Sequence, residues 1–272
     1  MGLHEHTGTG TARGGKAVLL LAKSAFAAAP HREMQRIAAM VGLMPGVTKA
    51  LCCFSEQGSP SLRDALRTVS GGSFATIVIV PLVLPMEPSF HNWLTRSLKR
   101  WQAEDGFAWP QVRIARDIAQ SLHFEPLLAA LVAGTAAEPP VLPDSVHKPE
   151  GSLVPAQKRR VLVCEGGACN AAGADVIWGH LRNRQVERKL RLTGDGTMTA
   201  KSTCLGPCNL APVLQVFPEG TYYGGVTEAA VDRIVEEHLV GGHVVSDFAY
   251  APTGRKQRLR TIHPKNPEKP KI

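Results

Sequence analysis

Four of the six cysteines in this 272-residue chain form a group whose spacing suits an inorganic centre. The first two are separated by four residues, the third follows after 34 more, and the last two are separated by three. These residues are Cys164, Cys169, Cys204 and Cys208. Glycines lie within each pair, and glycine lets backbone N–H groups approach the sulfurs of a bulky centre. Four thiolates are the full ligand set of a 2Fe-2S cluster, and also of a structural zinc ion.

Three kinds of centre are compatible with these thiols, and the sequence favours the first. A 2Fe-2S cluster needs only four cysteines, and it suits loops of a complete α/β domain. Zinc ribbons usually carry C-x2-4-C knuckles in small domains. Disulfides suit a secreted chain, but the apolar run Ala17–Ala22 ends at Lys23 and is shorter than the core of a secretory signal. We therefore predict a cytoplasmic protein with one cluster.

The remaining two cysteines, Cys52 and Cys53, lie inside the apolar segment Ala50–Phe54. Adjacent residues of a strand face opposite sides of the sheet, so these thiols cannot bind one metal ion together. Core cysteine usually behaves as a small hydrophobic residue. We predict that both are buried.

The elements that precede the cysteine group predict a parallel α/β domain. Three short apolar runs are each followed by a segment with helical spacing, a pattern typical of βαβ units. The runs are Ala17–Ala22, Ala50–Phe54 and Ala75–Leu84, and the helical segments are His31–Val41, Ser61–Val69 and His91–Ala103. Val112–Ala115 adds a fourth strand and Phe124–Ala133 a closing helix. Ligands of such sheets bind at the carboxyl ends of the strands, which are followed here by Lys23, Glu56 and His91.

The elements around the cysteine group predict a second α/β domain behind a proline-rich linker. Such linkers are semi-extended. The predicted strands are Val161–Val163, Lys189–Leu192, Thr197–Ser202 and Val213–Phe217. One helix is predicted over Ala171–Arg184, and a closing helix is predicted from an N-cap at Thr227 to Leu239.

The residues around the four cysteines resemble the thioredoxin-like 2Fe-2S ferredoxins, a family that includes the cluster-binding peripheral subunit of respiratory NADH dehydrogenase. The resemblance rests on Val161–Cys164 with Cys169, on Thr203–Pro212 and on Tyr222–Thr227. It implies a thioredoxin-like domain that holds one 2Fe-2S cluster on all four cysteines. It also implies the transfer of one electron to or from a redox partner protein.

The first domain resembles the small sirohydrochlorin cobaltochelatase and ferrochelatase family. The matching segments are Phe54–Glu56, Pro60–Leu62, Ile77–Leu84, Val112–Ala115 and Pro126–Leu128. The resemblance implies that Glu56 and His91 are catalytic residues and that His91 binds a divalent metal ion. It also implies a tetrapyrrole as the ligand of the cleft.

The chain departs from that family at the end of its first strand. The family carries a Gly-His-Gly-Ser turn with a metal-handling His there, whereas this chain has Ala22–Ala25, with Lys23 in place of the His. A lysine ammonium is protonated near neutral pH and repels a divalent cation. This departure predicts a degenerate chelatase-like domain that still binds a tetrapyrrole or a metal ion.

The net charge of +8 is concentrated at the C-terminus. Gly254–Ile272 carries seven Lys and Arg residues against one Glu, and so accounts for +6 of the total. The rest of the chain is close to neutral, so nucleic acid is not the expected partner. No run reaches the roughly 18 apolar residues that a spanning helix needs, so we expect no membrane span.

These patterns together predict an α/β protein with an N-terminal chelatase-like parallel-sheet domain and a C-terminal thioredoxin-like ferredoxin domain. The predicted bounds are 1–15 for a polar leader, 16–135 for the chelatase-like domain, 136–158 for the linker, 159–242 for the ferredoxin domain and 243–272 for a basic tail. We also predict a homodimer, because a single chelatase-like domain resembles half of the larger chelatases and thioredoxin-like ferredoxins also pair.

The favoured function is a one-electron carrier fused to a degenerate tetrapyrrole- or metal-binding domain, in cobalamin or sirohaem metabolism. One alternative is an active cobalt or iron chelatase whose cluster is structural or regulatory. A second alternative is a metal-sensing adaptor that docks through its basic tail.

Overall fold

A computed structural model describes residues 14–25, 28–142 and 151–260. The chain divides into two compact units, Met1–Ser152 and Leu153–Ile272. Most of the predicted polar leader, part of the predicted linker and the end of the predicted basic tail lie outside the described residues. No helix within those ranges is long and apolar enough to cross a membrane.

The first unit contains a four-stranded parallel sheet, which confirms the parallel α/β prediction. Its strands are β1 (Lys16–Ala22), β2 (Val47–Phe54), β3 (Thr76–Pro81) and β4 (Gln111–Ile114), in the order β2-β1-β3-β4. Strand β1 is buried from Ala17 to Leu21, as expected of a central strand in a sheet covered on both faces. The register places Ala22 beside Phe54, so the segments that follow β1 and β2 begin at the same edge.

Four α-helices belong to the described part of this unit. They are α1 (Ala28–Gly42), α2 (Leu62–Ser70), α3 (Pro88–Glu104) and α4 (Phe124–Gly134). Helix α2 begins at an N-cap, Ser61, whose hydroxyl accepts the N–H of Asp64 and so satisfies one free donor of the first turn. None of the residues of α4 is buried, whereas each of the other three helices has buried residues.

The second unit is built on a mixed five-stranded sheet. Its strands are β5 (Arg159–Cys164), β6 (Thr197–Ser202), β7 (Val213–Phe217), β8 (Thr221–Gly224) and β9 (Ala249–Tyr250), in the order β6-β5-β7-β8-β9. Only β5 and β6 run parallel, and the other neighbours are antiparallel. The helices are α5 (Gly167–Ala171), α6 (Ala174–Glu187) and α7 (Glu228–Arg233), the last continued by a π-helical segment, Ile234–Val240.

Two local predictions in this unit are wrong. Lys189–Leu192 forms turns rather than a strand, because Lys189 adopts a left-handed backbone with φ of 49° that an extended strand cannot contain. The helix predicted over Ala171–Arg184 is divided between α5 and α6 at Gly173, whose φ is 90°. Glycine reaches this conformation at little cost, and an α-helix cannot continue through it.

The core of the second unit lies between the sheet and the helices α6 and α7. Tyr223 is fully buried there, and its hydroxyl lies 2.8 Å from Nδ1 of His238 and accepts the N–H of Val245 at 3.2 Å. Burial raises the pKa of Tyr223 and lowers the pKa of His238. Both side chains are therefore held in their neutral forms near neutral pH.

Candidate metal centre

Two loops at one edge of the second sheet carry the four cysteines that the sequence singled out. Cys164 ends β5 and Cys169 lies in α5, whereas Cys204 and Cys208 lie between β6 and β7. Strands β5 and β6 are parallel neighbours, and Cys164 is paired in register with Ser202. Because the carboxyl ends of parallel strands meet at one edge, the two loops begin side by side.

The cysteine side chains interact across these loops. The hydrogen bond that the Cys169 thiol donates to the Cys164 side chain, followed by burial, raises the pKa of Cys169. Burial, and then the charges of Cys204 and Cys164, raise the pKa of Cys208. The structure thus brings together all four predicted residues. Metal binding must displace their protons, because the thiolate is the form that binds metal.

Exposure divides the four cysteines into two pairs. Cys164 and Cys169 are 3% and 1% exposed and pack among apolar residues. Cys204 and Cys208 are exposed to solvent. The candidate centre therefore has an apolar inner side and an open outer side.

Backbone contact between the two cysteine loops leaves no space for a side chain at Gly166. A Cβ atom at this position would lie 2.4 Å from the carbonyl oxygen of Thr203 and 3.7 Å from Sγ of Cys164. Glycine is needed here for close approach rather than for an unusual φ. The two loops are thus in direct contact beside the thiols.

The arrangement of the thiols fits a 2Fe-2S cluster. Four cysteine side chains lie on two loops that begin at neighbouring parallel strands, and four cysteine thiolates are the full ligand set of a 2Fe-2S cluster.

A charged pair that sequence reasoning missed lies beside the buried cysteines. Glu165 is fully buried, and its Oε1 lies 3.2 Å from Nζ of Lys201, which is also 3.4 Å from Asp175. Burial raises the pKa of Glu165, and the Lys201 ammonium opposes that shift. No sequence motif marks this pair, because it depends on Lys201 lying opposite Val163 in the β5–β6 register.

The first unit brings together only part of the predicted chelatase-like site. The N–H of Glu56 donates to the carbonyl of Lys23 at 2.7 Å, and the Lys23 ammonium partly offsets the burial that raises the pKa of Glu56. His91 lies exposed in the first turn of α3. Among the described residues, its ring has no hydrogen bond or ion pair to either of the other two side chains.

Sequence reasoning also missed polar residues at this edge of the first sheet. His31 stacks on Phe54, with ring centroids 5.6 Å apart, and its Nε2 lies 2.9 Å from the carbonyl of Ser59. Gln57 is 3% exposed and has a φ of 28°. A non-glycine residue with positive φ is uncommon, but such a conformation leaves no pattern in the sequence.

The prediction that Cys52 and Cys53 are core residues is confirmed. Both are buried in β2, and Sγ of Cys53 lies 3.7 Å from the carbonyl of Leu20. Burial raises the pKa of both thiols. They are inert packing residues rather than ligands.

Comparison with known proteins finds a matching family model for each unit. Residues 151–239 match the thioredoxin-like 2Fe-2S ferredoxin family, and residues 24–138 match the CbiX family. The putative 2Fe-2S ferredoxin of Priestia megaterium is 41% identical over 31% of this chain and 64% of its own length. The 2Fe-2S ferredoxin of Aquifex aeolicus is 35% identical over 29% of this chain and 69% of its own length.

A subunit of an NADH-quinone oxidoreductase is a further relative. One of the NADH-quinone oxidoreductase subunits of Rhizobium meliloti is 32% identical over 31% of this chain and 49% of its own length. The chain thus spans about half to two thirds of the length of these relatives. Through its second unit the chain belongs to the thioredoxin-like 2Fe-2S ferredoxin family, and its first unit is CbiX-like.

Proposed function

We propose that this chain is a cytoplasmic one-electron carrier that exchanges electrons with a redox partner protein. Membership of its family implies one 2Fe-2S cluster. The observation that carries the proposal is the meeting of the two cysteine loops at one edge of the sheet, with Cys164 and Cys169 buried and Cys204 and Cys208 exposed. When bound, a 2Fe-2S cluster accepts and donates one electron at a potential set by charge, hydrogen bonds and exposure.

The residues around the thiols have distinct roles in this proposal. Leu210, Val213 and Tyr250 pack around the two buried cysteines and exclude water from the inner side. The ammonium of Lys201 offsets the buried charge of Glu165. The exposed thiols, Cys204 and Cys208, form the edge through which a partner approaches. The similarity to one of the NADH-quinone oxidoreductase subunits supports a protein as that partner.

Anaerobic purification of the full chain tests this proposal. We expect two irons and two sulfides per chain, visible absorbance that dithionite bleaches reversibly, and an EPR signal of the reduced form. All four thiolates are then committed to the cluster. One zinc ion per chain, with colourless protein, would contradict the proposal and favour a structural metal site.

The first unit is proposed to bind an acidic tetrapyrrole without inserting metal, in cobalamin or sirohaem metabolism. The match to the CbiX family supports a ligand of this class. Lys23 lies beside Glu56 at the carboxyl edge of the sheet. Its ammonium attracts the carboxylates of a tetrapyrrole, but it provides no ligand for Co²⁺ or Fe²⁺. Binding is therefore favoured over metal insertion.

Exchange of Lys23 for His tests the first unit. We expect wild-type protein to bind sirohydrochlorin weakly, measured by its absorbance change, and to insert Co²⁺ no faster than the uncatalysed reaction. Lys23→His should raise the insertion rate above that level, because a neutral imidazole can bind the metal. The control is Lys16→His. Lys16 is the exposed first residue of β1, and this change should leave the insertion rate unchanged. Robust insertion by wild type, lost in His91→Ala, would identify an active chelatase.

The chain is also proposed to form a homodimer, with α4 in the interface. Four large apolar residues of α4 are exposed, namely Leu127, Leu128, Leu131 and Val132 at 51, 45, 60 and 72%. A contiguous exposed apolar face commonly marks a protein interface. A second copy of the chain covers this face in the proposed dimer, because a single chelatase-like domain resembles half of a larger chelatase.

Light scattering at micromolar concentration measures the oligomeric state. We expect about twice the chain mass of 29.2 kDa for wild type and the chain mass for Leu131→Glu, because a buried carboxylate without a partner destabilises an interface. Leu192→Glu alters a leucine that is 82% exposed in the second unit and should leave the dimer intact. A wild-type monomer, or equal effects of both changes, would contradict this assignment.

A further inference from the structure

The segment that follows β9 crosses the loop that carries the exposed cysteines. We call residues 251–260 the C-terminal strap. The side chain of Asn209, which directly follows Cys208, donates to the carbonyl of Gln257 in the strap. The side chain of Gln257 in turn donates to the carbonyl of Ala251 at 2.8 Å. The strap is therefore attached to the outer side of the candidate cluster site.

Contacts at its far end hold the strap in place. The N–H of Arg260 donates to the hydroxyl of Tyr250 at 2.8 Å, and the guanidinium lies 4.3 Å from the centre of the Tyr250 ring. Tyr250 is 7% exposed and belongs to the apolar cluster that contains Cys164 and Cys169. Tyr250 thus links the strap to the buried side of the site.

The charge of the strap is entirely positive. It contains four cations and no acidic residue, namely Arg255, Lys256, Arg258 and Arg260. All four are exposed, and none of them forms an ion pair with a residue in the described ranges. By contrast, Arg159, Arg184 and Arg233 of the same unit are each paired with a carboxylate. The charges of Arg255, Lys256 and Arg258 are therefore available to a partner, whereas Arg260 packs on Tyr250.

A shallow cavity brings these charges next to the cysteine loop. Its volume is about 360 Å³. The residues that line it are Pro207, Asn209, Leu210, Arg255, Lys256 and Gln257. The loop residues on one wall flank Cys208, and two strap cations form the other wall. A carboxylate that enters this cavity comes close both to positive charge and to the exposed edge of the site.

We infer that the strap is a docking surface for an acidic redox protein, an inference that rests on the proposed electron-carrier function. Carboxylates of the partner bind Arg255, Lys256 and Arg258, and this contact places the redox centre of the partner against Cys204 and Cys208. Opposite charges at such an edge raise the rate of encounter and fix the orientation of the two proteins. One electron passes from the reduced cluster to the oxidised centre of the partner, and no bond is made or broken.

Stopped-flow electron transfer from the dithionite-reduced full chain tests this inference. Cytochrome b5, whose exposed haem edge is acidic, serves as the matching acceptor, and cytochrome c, whose haem edge is basic, serves as the mismatched one. The test variant is Arg255→Gln/Lys256→Gln/Arg258→Gln. The control is Lys99→Gln/Lys189→Gln/Arg191→Gln, which removes the same charge from exposed positions outside the strap.

We expect reduction of cytochrome b5 to slow by about tenfold in the strap variant and by less than about twofold in the control. The wild-type rate should fall as salt rises from about 20 to about 200 mM, because screening weakens attraction between exposed charges. Reduction of cytochrome c should not slow in the strap variant. An unchanged rate with cytochrome b5, or equal slowing in the control, would overturn the inference.

Two further outcomes are informative. Protein that dithionite cannot reduce would contradict the proposed carrier function itself, whereas a reducible strap variant with normal rates would contradict only the docking surface. Submicromolar binding of a labelled DNA oligonucleotide at physiological salt, lost in the strap variant, would instead assign these cations to a nucleic acid and would overturn the inference.

Discussion

Replacement of Cys204 or Cys208 with Ala is expected to reduce the iron content of the full chain from two per chain to near zero. Each change removes one of four thiolates, and methyl groups cannot bind iron. The remaining thiols cannot compensate, because Cys52 and Cys53 are buried in the other unit. Iron and sulfide analysis, together with the visible spectrum, measures the loss.

Cys52→Ala is the matched control for these changes. This thiol packs in the core of the first unit, so its loss should cost about 1 kcal/mol of stability and leave the iron content unchanged. Full iron content in both the Cys204→Ala and the Cys208→Ala protein would show that other groups bind the metal, and would overturn the ligand assignment.

Gly166→Ala is expected to have the second largest effect. The added methyl group would lie 2.4 Å from the carbonyl oxygen of Thr203, a backbone atom that can move only with the loop that carries Cys204. Overpacking of this kind typically costs about 1–3 kcal/mol. It should also separate the two cysteine loops, so that the iron content falls by more than about half. Thermal unfolding and iron analysis of the same sample measure both effects.

Gly179→Ala tests whether any added methyl group has this effect. Gly179 lies inside α6, and apart from its chain neighbours and the backbone of that helix no atom lies within 4 Å of the position of its Cβ. Alanine is favoured over glycine in a helix by roughly 0.5–1 kcal/mol, so this protein should be slightly more stable and should retain its iron. If Gly166→Ala behaves in the same way, the contact between the loops does not control assembly of the site.

Local patterns in the sequence were sufficient to predict the cysteine group, the first sheet and three of the five strands of the second sheet. The four cysteines could be placed together because each pair follows a predicted strand. The N-cap at Thr227 was also predicted, and its hydroxyl accepts the N–H of Ala230. Such features depend on neighbouring residues, for which spacing and side-chain type carry the signal.

Features that depend on distant residues could not be predicted. The pairing of Glu165 with Lys201 requires the β5–β6 register, and the contact of Asn209 with Gln257 joins residues 48 apart. Residues 243–272 were predicted to be a basic tail because their composition is polar and charged, although Tyr250 and Leu259 of this segment make specific contacts. The composition of a segment indicates its average exposure to solvent, but it does not indicate where its few apolar residues pack.

The pair of Tyr223 and His238 in the second core makes the ferredoxin unit sensitive to acid. Burial lowers the pKa of His238 in the folded chain, whereas an unfolded chain restores an ordinary value of about 6.5. Below that pH the His238 imidazole is protonated in the unfolded chain but stays neutral in the folded chain. The free energy of unfolding therefore decreases as the pH falls toward the lowered pKa. Above it, both states hold a neutral imidazole and this contribution is constant. The ferredoxin unit is therefore expected to lose stability as the pH falls below about 6.5.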